Sequence, residues 1–402
     1  MSWEYVALGE LYEVHNGLSK GGKFFGRGSP FLSFSTVFNK WFLPQELPDL
    51  VQSTDNEQQS YSILRGDVFV TRTSETMDEL GMSSVALKDY PHATYNGFTK
   101  RLRPINPKRI LPEFIGYYLR TPVFRSGFTA FSTMTTRASL RNEDLLSMKV
   151  PVPDMPTQKH IASILSAYDD LIENNQKQIT LLEEAAQRLY KEWFVDLRFP
   201  NHETTPIVDG IPEGWKRMVL SEVTSVLRRG ITPKYSNNGK YSVINQKCIR
   251  NSIMDISESR RQEKEYSTTL NLQDSDTVIC STGAGTLGRV GRVYGDYPNT
   301  TFDSHVTLIR AKENPNYIYH IIKSQQEYLM GMGRGSTNQQ ELYRNVIEQL
   351  VVLCPSQDIL LKAERVLGAI HCKIKKIYLQ NNLLVESRDR LLPKLMSGEI
   401  EV

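Results

Sequence analysis

The sequence of 402 residues predicts an α+β protein in which two similar globular domains are separated by two long helices that form an antiparallel coiled coil. Two observations support this prediction: the chain repeats itself, and each repeat ends in a long heptad pattern. Residues 3–13 (WEYVALGELYE) match residues 215–225 (WKRMVLSEVTS), and residues 139–153 (SLRNEDLLSMKVPVP) match residues 341–355 (ELYRNVIEQLVVLCP). Self-similarity of this extent predicts two copies of one domain.

Within each half, turn residues followed by an apolar run predict a strand. This pattern occurs in residues 64–70 (LRGDVFV) and again in residues 273–279 (QDSDTVI). Residues 112–121 are predicted to form one of a few short helices. Each globular half is therefore expected to combine a substantial sheet with short helices.

The segment that follows each repeat carries apolar residues at alternating steps of four and three, which is the pattern of a coiled-coil seam. The first seam consists of Ile161, Leu165, Tyr168, Ile172, Asn175, Ile179, Leu182, Ala186, Leu189 and Trp193. The second seam consists of Ala363, Leu367, Ile370, Ile374, Ile377, Asn381, Leu384, Arg388, Leu391 and Leu395. Two apolar seams of equal length are expected to cover each other.

One asparagine in each seam indicates the direction of pairing. If the helices run antiparallel with Ile161 opposite Leu395, then Asn175 faces Asn381 and the two amides can bond to each other. A parallel arrangement in register leaves both amides unpaired in an apolar seam, at a cost of about 1–3 kcal/mol each. We therefore predict an antiparallel pair with an Asn175–Asn381 polar layer. The alternative is two separate helices, each packed on its own domain.

These elements divide the chain into four regions: a first globular domain (1–155), a central long helix (156–199), a linker with the second globular domain (200–355) and a C-terminal long helix (356–402). Residues 200–215 (PNHETTPIVDGIPEGW) have the Pro, Gly and acidic content of a linker. Because antiparallel pairing of like helices carries two-fold symmetry, the two domains are expected to be related by a pseudo-two-fold axis. On duplex DNA, such a chain would read two half-sites at a fixed spacing.

Composition limits the function classes. The net charge of +3 is too small to indicate a nucleic-acid binder by bulk electrostatics, so a DNA-binding surface must be local. The four cysteines lie far apart, as expected for free thiols in a reducing compartment. Since neither a signal peptide nor a membrane span is indicated, we expect a soluble, cytoplasmic protein.

A local basic patch occurs in residues 215–250, where eight basic residues accompany one acid, Glu222. Guanidinium, ammonium and amide groups bind phosphates and base edges, so loops rich in them are candidate DNA contacts. The candidates in this patch are Arg228, Arg229, Lys234, Lys240, Asn245, Gln246 and Lys247. The corresponding candidates in the first half are Lys20, Lys23 and Arg27, and later loops add Arg72, Thr73 and Arg137 in the first half and Ser281, Thr282, Arg334, Thr337 and Asn338 in the second. The alternative for any single residue is a solvated surface loop.

Motifs that would indicate catalysis or metal binding are incomplete. Asn314-Pro315-Asn316-Tyr317 is similar to the N-P-P-Y motif of adenine methyltransferases but lacks its second proline. The stretch GAGTLG at residues 283–288 spells G-x-G-x-x-G without the long helix that a dinucleotide fold needs. Both are interpreted as turns, and His371-Cys372 as a surface pair. We therefore expect no catalytic residue, no metal ligand and no cofactor in this chain.

With these features, the sequence resembles the specificity subunits of type I restriction-modification systems over essentially its whole length. The resemblance lies in the Ile211-Pro212-Glu213-Gly214-Trp215 opening of the second half, the Ser336-Thr337 loop, the helix entry PDMPTQKHIASI at residues 153–164, and the two long helices. It implies that the globular halves are target-recognition domains, one for each half of a bipartite DNA site.

The resemblance also implies partners. Two copies of an adenine-N6 DNA methyltransferase subunit and the motor-nuclease restriction subunits would assemble with this chain on double-stranded DNA, and S-adenosylmethionine, ATP and magnesium would belong to those subunits. Tyr190, Trp193 and Phe194, near one end of the first long helix, are candidate docking residues. The alternative is that these aromatic side chains only cap the coiled coil.

Overall fold

The structure is a computed structural model that describes residues 3–74, 80–131, 138–283, 285–333 and 340–402. Its contacts divide the chain into two compact units. Unit 1 comprises Met1–Asn174 and Asn381–Val402, and unit 2 comprises Asn175–Gln380. Both units contain a segment of each long helix, because the division falls within these helices. The four regional boundaries drawn from the sequence stay a prediction.

Unit 1 is built on two sheets. The strands are β1 Glu4–Ala7, β2 Tyr12–Asn16, β3 Phe25–Leu32, β4 Asp49–Val51, β5 Val68–Thr71, β6 Thr73–Ser74, β7 Ser83–Val85, β8 Thr94–Tyr95, β9 Thr99–Pro104, β10 Ala138–Ser139 and β11 Lys149–Val152. The short helices are α1 Leu8–Leu11, α2 Phe34–Asn39, α3 Asp55–Ser60, α4 Pro112–Tyr118, α5 Pro122–Phe131 and α6 Asn142–Ser147. The larger sheet has the order β2-β9-β5-β7 and the smaller one β4-β3-β8, while β1–β11 and β6–β10 form separate pairs.

The first long helix, α7 Met155–Tyr190, leads into unit 2. The strands of unit 2 are β12 Ile207–Val208, β13 Ile211–Pro212, β14 Lys216–Val219, β15 Thr224–Arg229, β16 Tyr241–Ile244, β17 Ile249–Arg250, β18 Ile253–Met254, β19 Arg260–Gln262, β20 Thr277–Cys280, β21 Val290–Arg292, β22 Thr300–Phe302, β23 Val306–Ala311 and β24 Val351–Cys354. The helices are α8 Pro315–Ser324, α9 Gln326–Gly331, α10 Arg344–Glu348 and the second long helix, α11 Gln357–Ser397. The sheet orders are β15-β23-β20-β21-β18-β17 and β19-β16-β22, and β14 pairs with β24.

The two units therefore repeat one strand plan. In each, a strand near the start of the repeat pairs antiparallel with the strand just before the long helix: β1 with β11, and β14 with β24. In each, the small sheet contains one parallel pair: β3 with β8, and β16 with β22. The apolar runs that predicted strands are confirmed as β5 and β20.

A buried ion pair anchors the same strand in both units. Asp67 and Asp276 stand directly before β5 and β20, and each accepts two hydrogen bonds from an arginine of the neighbouring strand. The distances are 2.8 and 2.6 Å from Arg103 and 2.7 and 2.7 Å from Arg310. Each aspartate also accepts a backbone N–H three residues upstream, at 2.8 Å. A bidentate pair of this kind fixes strand register as well as charge.

A close backbone approach is also repeated. A Cβ on Gly17 would lie 2.1 Å from the carbonyl oxygen of Asn96, and a Cβ on Gly230 would lie 2.1 Å from that of Phe302. Because no side chain fits at such a distance, glycine is required at both places. The duplication seen in the sequence thus extends to individual turns.

The long helices run antiparallel where they contact each other within each unit. In unit 1, Ile161 and Leu165 of α7 share a buried core with Leu392 and Leu395 of α11. In unit 2, Ile179 shares a buried cluster with Ile374 and Ile377. Early residues of α7 thus meet late residues of α11. The predicted α+β class and the antiparallel helix pairing are confirmed.

In unit 1, a polar cluster ties the globular part to both long helices. Tyr117 of α4 donates to Asp169 Oδ2 of α7 at 2.6 Å, and Arg388 of α11 donates to Asp169 Oδ1 at 2.5 Å. The Arg388 guanidinium also lies 4.9 Å from the centre of the Trp41 ring. This explains why a charged residue is tolerated at a seam position of the second heptad pattern.

Among the described helices, none is long and apolar enough to cross a membrane.

Replacing Asp276 by Ala is expected to destabilise unit 2 by about 3–5 kcal/mol, because Arg310 would then stay largely buried without its counter-charge. Urea unfolding followed by circular dichroism measures this loss. Glu386→Ala is the control: it breaks the exposed helical pair with Arg390 and should cost less than about 0.5 kcal/mol. Equal losses in both variants would contradict the anchoring role of the buried pair.

Candidate nucleic-acid interface

A cleft of about 700 Å³ in unit 2 brings two of the predicted loops together. One wall is the 3-10 helix Gln246–Cys248 and the residues after it, and the other is the turn that follows β20. The lining residues are Gln246, Lys247, Arg250, Asn251, Gly283, Thr286 and Arg289. The structure therefore joins Gln246 and Lys247 to the Thr282 loop, although these loops lie far apart in sequence.

Local backbone geometry shapes both walls of the cleft. Asn245 caps the 3-10 helix, since its Oδ1 accepts the backbone N–H of Lys247 at 2.8 Å. Gly283 has a φ of +104°, which places it in a region that other residues rarely adopt. A Cβ at Gly283 would lie 2.5 Å from Thr286 Oγ1, so the glycine also leaves room for this hydroxyl. In the described part of the G-x-G-x-x-G stretch, residues 285–288 form a turn, as predicted.

The cleft is electropositive. Among the described residues that line it, three are cations and none is acidic. Lys247 and Arg250 are exposed. Arg289 is partly buried and held in place, because it donates to the carbonyl oxygens of Ile249 at 2.9 Å and Gly285 at 3.2 Å. A concave surface with uncompensated positive charge attracts polyanions such as the phosphate backbone of DNA.

The other predicted cations of unit 2 differ in whether an acidic residue already compensates their charge. Arg229 forms an ion pair with Glu341, and Lys234 forms one with Glu263, so their charges are compensated within the chain. Arg228 is exposed on β15. Lys240 is exposed, with its ammonium 5.2 Å from the centre of the Tyr241 ring. Arg228 and Lys240 therefore present more free charge to a ligand than Arg229 and Lys234.

Ser281 corrects one prediction. Its side chain is fully buried, at 0% exposure, and its hydroxyl lies 2.6 Å from that of Thr307 on the neighbouring strand. Ser281 is therefore a packing residue and not a DNA contact. Thr282, the next residue, is half-buried and lies 2.6 Å from His305 Nδ1, so it remains at the surface.

In unit 1, the predicted loop projects exposed cations beside β3. Lys23 and Arg27 are exposed, and they flank Phe25, whose ring is also partly exposed. Lys20 differs, because its ammonium donates to Glu57 Oε2 and to the Gln52 carbonyl oxygen, both at 2.6 Å. The same ion pair lowers the pKa of Glu57. Lys20 thus holds the loop in shape with a compensated charge.

The remaining predicted DNA contacts are either half-buried or lie outside the described residues. Arg72 and Thr73 are half-buried beside the pairing of β6 with β10. Arg137, Arg334, Thr337 and Asn338 lie outside the described residues. As DNA contacts, these residues stay predictions.

Two of the three predicted docking residues are internal. Tyr190 and Phe194 are only 7% and 5% exposed and belong to the core of unit 2. The Phe194 ring lies 4.6 Å from that of Tyr317 and 5.9 Å from that of Trp215. A π-helical turn, Lys191–Val195, ends α7 and directs these rings into the core. The docking role is therefore wrong for Tyr190 and Phe194, whereas Trp193 keeps partial exposure.

The N-P-N-Y stretch is structural. Asn314, with a φ of +55°, caps α8, and the next residues begin that helix. The carboxylate of Glu364 on α11 accepts the backbone N–H groups of Asn316 and Tyr317, both at 3.0 Å. The stretch therefore docks α8 onto the long helix, and its interpretation as a turn is corrected, since Pro315, Asn316 and Tyr317 are the first residues of α8.

A buried histidine pair was missed by the sequence analysis. His371 is not a surface residue: it is buried, and its Nε2 lies 2.9 Å from Nε2 of His320 on α8. Tyr294 Oη lies 2.9 Å from His371 Nδ1, and Gln187 Oε1 lies 3.2 Å from His320 Nδ1. The position of His371 beside seam residue Ile370 was the available signal, since it places the side chain at the edge of the helix interface.

The four side chains Tyr294, His371, His320 and Gln187 can form a continuous row of hydrogen bonds if both histidines are neutral. With the Gln187 side-chain oxygen as the acceptor at one end, the neutral arrangement that fits these distances has His320 Nδ1–H donating to Gln187, His371 Nε2–H donating to His320 Nε2, and the Tyr294 hydroxyl donating to His371 Nδ1. Burial lowers the pKa of His320 to about 3 and the pKa of His371 well below its usual value, and the charge of Arg292 adds to both effects. The network therefore links α7, α8 and α11 without any net charge of its own.

Unit 2 should consequently lose stability as the pH falls below about 6.5, where unfolded histidines take up protons that the folded pair does not. The expected dependence is at most about 1.4 kcal/mol per pH unit for each histidine. Urea midpoints between pH 7.5 and 5 measure it. His371→Gln should flatten the dependence, whereas the exposed control His160→Gln should leave it unchanged.

Glu183 and Lys323 also face this region, and burial raises the pKa of Glu183 and lowers that of Lys323. Because both groups stay in place in His371→Gln, the difference between wild type and variant isolates the histidine contribution. An equally steep pH dependence in the two proteins would contradict the neutral-pair assignment.

Comparison with known proteins identifies the class of this fold. The chain is similar to a solved type I restriction-modification S subunit from M. genitalium, with a TM-score of 0.56 and 15% identity over 98% of this chain and 96% of that one. At this level of identity, the likeness establishes the fold alone. The chain thus shares the fold of that S subunit.

Sequence comparison identifies the family. The type I restriction modification DNA specificity domain matches residues 1–184 and 212–359. The chain is 28% identical to the MjaIX specificity subunit of Methanocaldococcus jannaschii, covering 79% of this chain and 75% of that protein. It is 23% identical to the HindI specificity subunit of Haemophilus influenzae, covering 73% and 79%. The chain belongs to the type I restriction-modification specificity family, and the resemblance seen in its sequence is confirmed.

Proposed function

We propose that each globular half of this specificity subunit reads one half of a bipartite DNA site, while the paired long helices set the unread gap. The observation that carries this proposal is that one chain holds the same two-sheet domain twice, and that each copy packs on its own segment of the helix pair. A pseudo-two-fold relation between the halves would let one chain present two reading surfaces to duplex DNA, as a dimer does.

Assembly with partners follows from the family. Two adenine-N6 methyltransferase subunits would dock along the helices, and restriction subunits would join that complex. The chain itself would contribute recognition and no catalysis, with S-adenosylmethionine, ATP and magnesium bound by its partners. Trp193 stays a candidate docking residue, because its ring is only partly covered by the chain.

The proposed DNA contacts are the cations and amides left available by the fold. In unit 2 these are Gln246, Lys247, Arg228, Lys240 and Thr282, and in unit 1 they are Lys23, Arg27, Arg72 and Thr73. Lysine and arginine at such positions neutralise phosphates and fix orientation, whereas amide and guanidinium groups also read base edges.

Mapping N6-methyladenine in DNA modified by this chain and its methyltransferase tests the function. A bipartite motif with a constant gap is the expected result. Lys247→Ala should weaken methylation of all sites to a similar extent, because a phosphate contact carries little sequence information. Lys108→Ala, an exposed change in the turn after β9, is the matched control. A continuous motif, or methylation without sequence preference, would refute the proposal.

From the predicted heptad register, we also propose that Asn175 and Asn381 form the polar layer of the coiled coil. Both are nearly buried, at 7% and 9% exposure, and Asn381 Nδ2 donates to the carbonyl oxygen of Ile172 at 3.4 Å. A buried amide pair fixes register at some expense of stability.

Asn175→Leu and Asn381→Leu are each expected to lower stability by about 1–3 kcal/mol, since each leaves one amide opposite an apolar side chain. The double variant should recover most of this loss in urea unfolding. Losses that simply add would contradict the facing-amide arrangement, because residues without contact behave additively.

A further inference from the structure

The two repeats carry different side chains at equivalent places beside the small sheet. Strands β3 and β16 occupy the same place, since Leu32 pairs in parallel with Tyr95 as Ile244 does with Phe302. The next residue caps a short helix in both: Ser33 Oγ accepts the N–H of Thr36 at 3.4 Å, and Asn245 Oδ1 accepts that of Lys247 at 2.8 Å. The positions after these caps therefore correspond.

The correspondence pairs Phe34 and Ser35 of unit 1 with Gln246 and Lys247 of unit 2. In unit 1, Phe34 stacks on Phe38 with 6.1 Å between ring centres. In residues 33–41 the only cation is Lys40. Unit 2 instead presents an amide followed by two exposed cations, Lys247 and Arg250.

The opposite wall of the cleft also carries a cation in unit 2 where the equivalent position of unit 1 does not. Gly81 and Gly288 correspond, because both have a φ of +73° and donate a backbone N–H across the turn, to Thr71 and Cys280 respectively. The following residue is Met82 in unit 1 and Arg289 in unit 2. Unit 1 thus carries Phe34, Ser35 and Met82, which are uncharged, at positions where unit 2 carries an amide and two cations.

We propose that the unit 2 cleft reads purine bases in the major groove, with Gln246 and Arg250 as specificity-determining residues, and that unit 1 reads its half-site through different chemistry. This inference rests on the proposed function. Arg250 suits guanine, whose N7 and O6 accept a guanidinium fork, and Gln246 suits adenine, whose N7 and N6 match an amide. Lys247 and the anchored Arg289 bind phosphate and position the duplex.

The placement of both side chains supports this assignment. Arg250 lies on β17, which is the outermost strand of the six-stranded sheet, and its side chain is exposed. Gln246 lines the cleft opposite Gly283, where a Cβ would lie 3.4 Å from Gln246 Nε2. Glycine at this place leaves the amide room to meet a base edge.

The test uses the full chain with its methyltransferase and a double-stranded DNA library with randomised half-sites. Arg250→Ala should reduce the preference for guanine about ten- to a hundredfold at one position of one half-site, and leave the other half-site unchanged. Gln246→Ala should do the same for adenine. Arg250→Lys should keep overall affinity yet lose the guanine preference, since it retains charge without the bidentate fork.

Arg344→Ala, an exposed change on α10 of unit 2, is the control and should leave the motif unchanged. Thermal unfolding of each variant checks that the fold is kept. If wild type yields a bipartite motif while the Arg250 and Gln246 variants change no position of it, the cleft assignment is overturned and the proposed function stands. If wild type yields no bipartite motif, the proposed function itself fails.

Discussion

The apolar seams of the two long helices are the constraint on which the rest of the fold depends. Neither seam can face water, so each helix must be covered over its full length. Residues of α7 and α11 supply buried side chains to the cores of both units, which makes each core a composite of distant chain segments. A globular half is therefore not complete without its segment of helix pair.

The two units use different polar chemistry to attach their globular parts to these helices. Unit 1 uses the charged cluster of Tyr117, Asp169 and Arg388, whereas unit 2 uses the neutral chain from Tyr294 through His371 and His320 to Gln187. Both satisfy buried polar atoms, which is the requirement that burial imposes. Only the unit 2 network contains histidines, and histidine side chains titrate near neutral pH in the unfolded chain. The two units should therefore differ in their response to acid.

Charge in this protein acts locally. With a net charge of only +3, the chain cannot attract DNA as a whole, and many of its cations are consumed by internal ion pairs such as Arg229 with Glu341 and Lys20 with Glu57. Three cations, Lys247, Arg250 and Arg289, line the unit 2 cleft. Whether a cation is already paired matters for DNA binding, because a basic residue paired within the fold must break that ion pair before it binds a phosphate.

The duplication, the α+β class, the antiparallel helix pair and the family could all be predicted from the sequence, because periodicity and repeated motifs are local in the chain. The sequence also named Gln246 and Lys247 as candidate DNA contacts, which stays a prediction. It did not reveal that Ser281 is buried, that Tyr190 and Phe194 fill a core, or that His320 meets His371. Those facts depend on contacts between segments distant in sequence, which only the tertiary structure decides. Likewise, the cleft exists only because the turn after β20 folds against the helix after β16, and no local pattern in either segment encodes that contact.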